Sequence, residues 1–258
     1  LFELDQLGAA LEAMNELVAL QPDYVDAHYN RALILMALGK FDEGWKTFKW
    51  RLKRPDVHVR HEDFAQPVWA GEALAGKHAL VWTDLGLGEE ILTASLIPDL
   101  QAAAEHVTLL CSERLVGLFQ RSFPGATVAV RKSPLPAAAL AQDIDVQMSL
   151  AELGAAFRPD FASFAGRPKY LTANAGVVQE LRRKYLQAGN TLLVGISWHS
   201  THPGIGAQKS AALAEWLPLL KVPGVTFVSL QYGDCRAEID ALRRDHGANI
   251  IQDADIDL

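Results

Sequence analysis

The chain has 258 residues, 50% hydrophobic and 21% charged, with 24 basic against 31 acidic residues and a formal net charge of −7. That apolar content excludes a collagen-like, mucin-like or mostly disordered chain. The acidic balance excludes a global field for nucleic acid, leaving only local basic patches. No run approaches the ~18–20 uncharged apolar residues of a membrane span, and Leu1-Phe2-Glu3-Leu4-Asp5 carries no basic leader. Cys111 and Cys235 stand apart with no C-x-x-C, which reads as buried reduced thiols. These features together predict a soluble, cytoplasmic protein. A start in mid-pattern predicts that the chain is part of a longer parent.

The first fifty-six residues repeat. Leu7-Gly8-Ala9-Ala10-Leu11-Glu12 and Phe41-Asp42-Glu43-Gly44-Trp45-Lys46 lie 34 residues apart, and Pro22 and Pro55 lie 33 apart. Between them, Val25 to Leu38 predicts an amphipathic helix with Tyr29, Ala32, Leu33, Leu35 and Met36 inward. Gly39-Lys40 predicts the turn, and Phe41 to Lys53 the next helix. The pattern resembles the tetratricopeptide repeat (TPR) of ~34 residues, whose small residues let paired helices approach closely. Ala10 and Gly44 fill the small-residue position, while His28 stands for an aromatic and Arg51 for a second alanine. One full repeat and part of another are present. Stacked repeats need about three units, so more are expected before Leu1. The resemblance implies a groove holding a protein or peptide; the alternative, that these helices only cap the next domain, stays open. Residues 57–76 show no sustained period and read as a linker, with Trp69 packing on a flanking domain.

From Lys77 the pattern alternates between strand and helix. Strands are predicted at 79–82, 107–111, 127–130, 145–148, 191–198, 225–230 and 249–252, the run Thr191–Trp198 being the most convincing buried strand. Helices are predicted at 89–104, 112–122, 175–187, 211–220 and 235–246. Uninterrupted apolar strands separated by amphipathic helices indicate parallel sheets wound on both faces. The fold class is therefore α/β with an α-helical N-terminal part, divided into repeats 1–56, a linker 57–76, a lobe 77–173, and a connecting helix with a second lobe 174–258.

In such sheets ligands meet the loops at the carboxyl ends of strands. Three loops stand out: Thr83 to Glu90, His199 to Ser210, and Gln231 to Asp234. Gly86-x-Gly88 follows a strand, but the third glycine of G-x-G-x-x-G would fall on Ile91, and no Gly-Lys-Ser/Thr makes a P-loop. The glycines either make a tight turn or let a substrate approach a helix start, where amide groups favour anions and Glu89 or Glu90 is placed as a general base. In the second loop Lys209 offers charge and Ser200, Thr201 and Ser210 hydroxyls, an inventory suited to a diphosphate; a solvated surface loop is the plainer alternative. His199 and His202 have no nearby third ligand, so no metal is expected.

At these loops the sequence resembles TPR proteins fused to a GT-B glycosyltransferase domain, related to heptosyltransferases and more distantly to O-GlcNAc transferase. The carrying segments are Trp82-Thr83-Asp84-Leu85-Gly86-Leu87-Gly88-Glu89-Glu90-Ile91, leading to Leu96-Ile97-Pro98-Asp99-Leu100; then Val194-Gly195-Ile196-Ser197-Trp198-His199-Ser200 with Lys209-Ser210; and Phe227-Val228-Ser229-Leu230-Gln231. Arg114-Leu115 and Arg121-Ser122-Phe123-Pro124-Gly125 also fit.

The resemblance implies two Rossmann-type lobes, transfer of a sugar from a nucleotide-sugar co-substrate to a protein acceptor presented by the repeats, and no further cofactor. It implies Glu89 as the base, one methylene longer than the family's Asp, beside an acceptor-side loop of Gly86, Gly88 and Glu90. It implies Ser200, Thr201, Lys209, Ser210 and Gln231 around the donor phosphates, Lys209 standing where the family has Arg. The alternative is a non-catalytic TPR scaffold with a degenerate transferase domain. The family's later nucleotide-holding signature would follow Asp253, and Thr191 to Leu258 is shorter than the ~100–150 residues of a common domain. The second lobe is thus expected to be incomplete and the chain inactive alone.

Overall fold

The computed structural model describes residues 6–166, 169–186, 192–200 and 206–253. The chain divides into two compact units, residues 1–173 and 174–258.

The first unit opens with three helices: α1 (Leu7–Leu20), α2 (Val25–Ala37) and α3 (Phe41–Phe48), continued by a 3-10 turn over Lys49–Lys53. α2 ends where Gly39 takes φ +75°, a left-handed value that disfavours any side chain. The Gly39 N–H donates to Met36 and the Lys40 N–H to Leu35, a Schellman closure. α2 and α3 close on Gly44, where an added Cβ would come within 2.6 Å of Met36 Cγ. Ala27, Ala32, Ile34 and Leu35 are the buried residues of α2; Ile34 joins the core while Tyr29, Leu33 and Met36 are half-buried.

Then follow β1 (His78–Trp82), α4 (Leu87–Thr93), α5 (Ile97–Ala103), β2 (His106–Cys111), α6 (Glu113–Ser122), β3 (Ala126–Val130), β4 (Val146–Ser149) and α7 (Leu153–Phe157). The strands form one parallel sheet in the order β3-β2-β1-β4, with Ala79 opposite both Val107 and Val146. The single helix expected over 89–104 is broken by a 3-10 turn at Ala94–Leu96. Pro98 lacks an N–H to donate and sits in the first turn of a new helix, where none is needed.

The period-2 alternation of strands divides the core. Ala79, Val81, Leu109 and Met148 face one cluster with Ile97, Leu100, Leu115 and Phe119 from the helices. Leu80, Trp82 and Leu110 face another with Phe64, Ala139 and Ile144. This corrects the expectation of helices on both faces, because the second face is covered by irregular chain. It also corrects the reading of 57–76 as a linker. Val57, Phe64 and Leu74 are buried, and Pro67 to Trp69 run beside β4: the Gln147 N–H donates to Pro67 and the Trp69 N–H to Gln147, both at 2.9 Å. The segment covers an exposed sheet edge, and its apolar residues have no period because an irregular cover needs none. Trp69 packs against the helix-side core.

α3 is anchored to this sheet domain by Trp45, whose Nε1–H donates to the Arg158 carbonyl at 2.9 Å. Its indole rests over Gly154, where a Cβ would come within 2.5 Å of ring carbons. Gly154→Ala is therefore expected to destabilise the first unit by about 1–3 kcal/mol through overpacking, outweighing the gain of at most about 1 kcal/mol in helix propensity. Denaturant unfolding checks this; a more stable variant would show that the indole yields freely.

The second unit contains α8 (Ala175–Tyr185), β5 (Leu192–Ile196), α9 (Leu217–Leu220), β6 (Val225–Ser229), α10 (Arg236–His246) and β7 (Ile250–Ile251). Asn174 caps α8 by accepting from the Gly176 and Val177 N–H groups. The sheet is parallel in the order β5-β6-β7, around Ile196, Trp198, Leu213, Phe227, Ile239, Leu242 and Ile250. The expectation that the strand within Thr191–Trp198 is buried is corrected: β5 is an edge strand, Leu192 is 54% exposed and only Ile196 of its residues is buried. The helix expected over 211–220 is a 3-10 turn at Leu213–Trp216 followed by α9, again restarted at a proline, Pro218. No helix among the described residues is long and apolar enough to cross a membrane.

Candidate functional site

The loop after β1 leads from the interior of the sheet to the start of α4. Gly86 caps α4 with extended backbone, and Glu89 and Glu90 lie in the first turn, where carboxylates complement the amide dipoles. The two acids have opposite surroundings. Glu90 is fully buried; it accepts from the Ser112 hydroxyl at 2.6 Å and the Ser112 N–H at 3.0 Å, and Arg131 Nη2 lies 3.5 Å from it. Arg131 also donates to the carbonyl and hydroxyl of Thr83. Glu89 is exposed, and its carboxylate folds back over Gly86, where an added Cβ would come within 2.7 Å of Oε2. Gly88 has nothing within 4 Å of a would-be Cβ. The surface over Gly88 is thus open, while the Glu89 carboxylate covers Gly86. Because two carboxylates already occupy the helix start, the loop suits a hydroxyl-bearing substrate better than an anion, and Glu90 is a holding group for the loop, not an available acid. Beside it, burial first and the Glu90 charge second push the Cys111 thiol up to about 12, against the opposing pull of Arg131, so Cys111 stays protonated and inert. Both cysteines are free thiols, with Cys235 only partly buried.

Next to this loop, the order reversal between β1 and β4 is filled by polar side chains, among which the sequence reading marked Arg51 and the loop residue Asp84 without pairing them. Asp84, its side chain fully buried, pairs with Arg51 from the helical region and accepts from the Ser149 hydroxyl at 3.0 Å. Gln147 Oε1 accepts from Trp82 Nε1 at 2.7 Å and faces His61 Nδ1 at 3.1 Å, while His61 Nε2 lies 3.1 Å from Glu152. Both ring nitrogens of His61 thus face acceptors. Burial works against its charged form, but the Glu152 hydrogen bond and charge, with help from Gln147 and Glu62, hold its pKa above the ordinary 6.5. A raised folded value means the added stability is complete below about pH 6.5 and is lost as pH rises through the folded pKa. The first unit is expected to lose stability across that window, and His61→Asn to flatten the dependence. An NMR titration of His61 checks the sign, and a folded value below the peptide value would refute it.

In the second unit, the loop after β5 is held from beneath by Gln231. Its buried amide oxygen accepts from the Trp198 and His199 N–H groups at 2.9 and 3.0 Å and from the Ser197 hydroxyl at 3.2 Å. Its nitrogen donates to the carbonyls of His199 and Tyr232, both at 3.0 Å. The expectation that Gln231 faces donor phosphate is therefore corrected: its amide is committed to the chain, and it positions the loop. Glu238 acts similarly, accepting from Trp198 Nε1 at 2.9 Å and the Leu213 N–H at 3.2 Å. Ser210 Oγ accepts from the Ser200 N–H at 3.0 Å and donates to the Gly206 carbonyl at 2.6 Å, which brings Ser200 and Ser210 together. Lys209 is exposed in the 3-10 turn Ala207–Lys209. Thr201 lies outside the described residues.

The signal for the missed residues was faint. Asp84, a charge in an apolar context, marks a pairing requirement, but nothing local says with what, and Arg51 lies among other basic residues. Arg131 and Ser112 likewise carry no motif.

No family model matches the chain. Protein FlbA of Caulobacter vibrioides is 29% identical over 274 aligned residues, covering 99% of this chain and 46% of that protein, so the chain spans about half of its relative's length. Among solved structures, a mutant of the Thermobaculum terrenum O-GlcNAc transferase aligns over 97% of this chain and 65% of that one, at 14% identity and a TM-score of 0.28.

Proposed function

We propose that this chain belongs to a glycosyltransferase-like protein that moves a sugar from a nucleotide-sugar donor to a protein acceptor presented by TPR-like helices, with Glu89 as the base that takes the acceptor hydroxyl proton. The observation that carries the reading is the division of labour at the start of α4: Glu90 is buried and fully engaged, while Glu89 is exposed, folded over Gly86 and beside the open surface of Gly88. The motif resemblance at Trp82–Ile91 and Val194–Ser200 supports the same chemistry, as do the parallel sheets whose strand ends carry both loops. Lys209, with Ser200 and Ser210 joined by one hydrogen bond, would meet the donor diphosphate and offset charge on the leaving group. The non-catalytic scaffold is favoured by one observation, the commitment of Gln231 to the loop itself.

Calorimetric titration of the full-length parent with a panel of nucleotide-sugars tests the proposal. Donor binding weakened about tenfold or more by Lys209→Ala is the expected result. Absence of binding by every donor would leave the scaffold reading. Binding indifferent to Lys209→Ala would remove Lys209 from the site.

A further inference from the structure

Where the chain leaves β3 it passes a cavity of about 370 Å³ that the proposed transfer chemistry does not use. One wall is Arg131, Lys132, Ser133 and Leu135; the other is His58, Val59 and Asp63 from the segment that covers the sheet. The volume lies in the range of small-molecule pockets, ~300–1,000 Å³, and exceeds what a bare inorganic anion would fill. The lining pairs apolar surface, Val59 and Leu135, with basic and hydroxyl donors.

Asp63 is the pocket's one acid among the described lining residues, and its carboxylate is engaged locally, accepting the Arg60 N–H at 2.8 Å. Arg131 sits with a side chain 23% exposed even while it holds Thr83 and Glu90. Those contacts use only part of its five-donor fork. Lys132 is exposed at the rim. The position is also one where α/β proteins take ligands, at the carboxyl end of a parallel strand.

We infer that this pocket binds a small phosphate monoester, its phosphate held by Arg131, Lys132, His58 and the Ser133 hydroxyl, its body resting on Val59 and Leu135. A doubly charged anion draws on the Arg131 and Lys132 charges and the neighbouring donors better than a single carboxylate does. The inference is independent of the transfer reaction, because none of the groups proposed for that reaction lines the cavity.

Calorimetry on the 258-residue chain with glucose 6-phosphate, inorganic phosphate and glucose as probes tests it. Saturable binding of glucose 6-phosphate is expected, with inorganic phosphate weaker and glucose inert. Lys132→Glu and His58→Ala, both away from the buried network of Arg131, are expected to weaken glucose 6-phosphate about tenfold or more. Circular dichroism of each variant confirms that the fold is retained. Failure of glucose 6-phosphate to bind, or binding that both variants leave unchanged, would overturn the site. Inorganic phosphate binding as tightly as the ester would overturn the assignment of a monoester.

Discussion

Arg51→Ala is expected to destabilise the first unit by about 3–5 kcal/mol, the characteristic cost of removing one partner of a buried ion pair. The substitution leaves the Asp84 carboxylate, which has no solvent exposure, with only the Ser149 hydroxyl for company. It also strips the guanidinium from above the Phe48 ring, 5.0 Å away. For a unit of this size the change corresponds to a melting shift of roughly 6–20 °C. The double variant Arg51→Met/Asp84→Asn removes both charges and should recover much of the loss, because the isolated charge, not the missing attraction, is the larger penalty. Calorimetric or denaturant unfolding of the three proteins decides the matter. Equal losses in the single and double variants would mean that packing of the arginine stem dominates.

The adjacent glutamates of α4 should respond in opposite ways. Glu90→Ala leaves the Ser112 N–H and hydroxyl without their acceptor and Arg131 without its buried counter-charge, a loss of at least about 2 kcal/mol. Glu89→Ala, at an exposed position with no such partners, should stay within about 0.5 kcal/mol of the parent stability. In the full-length parent, however, Glu89→Gln should lower sugar transfer by about a hundred- to ten-thousand-fold if this carboxylate is the general base. Thermal unfolding and transfer rates measured on the same set of variants separate holding from chemistry. Undiminished transfer by Glu89→Gln would remove the base from its assigned place.

Much of the framework was readable from the chain. Strands β1, β2, β3 and β6 lie within a residue of their expected positions, because each is a short, mostly apolar run bounded by turn or polar residues. Gly39 announces its turn for an equally local reason, the left-handed backbone it adopts. The errors have local causes as well. Pro98 and Pro218 restart helices that periodicity alone carries through, and the apolar run of β5 gives no sign that the strand lies at a sheet edge.

The candidate site divides along the same line. The positions of Gly86, Glu89, Lys209 and Ser210 at strand ends follow from the alternation of elements. The roles of Glu90 and Gln231 do not, since both read as available polar groups until their partners are known. Arg51 and Asp84 show the reason most clearly. Arg51 departs from the pattern its segment resembles and Asp84 follows a buried apolar strand, and they meet only because the repeat-like helices pack against the end of β1. By itself the sequence determined the elements, the parallel α/β class and the loops worth searching, because these depend on periodicity and turn chemistry over a few residues. Only the tertiary structure decided which acids are spent on holding the fold and which face outward, because burial and pairing are set by residues tens of positions apart.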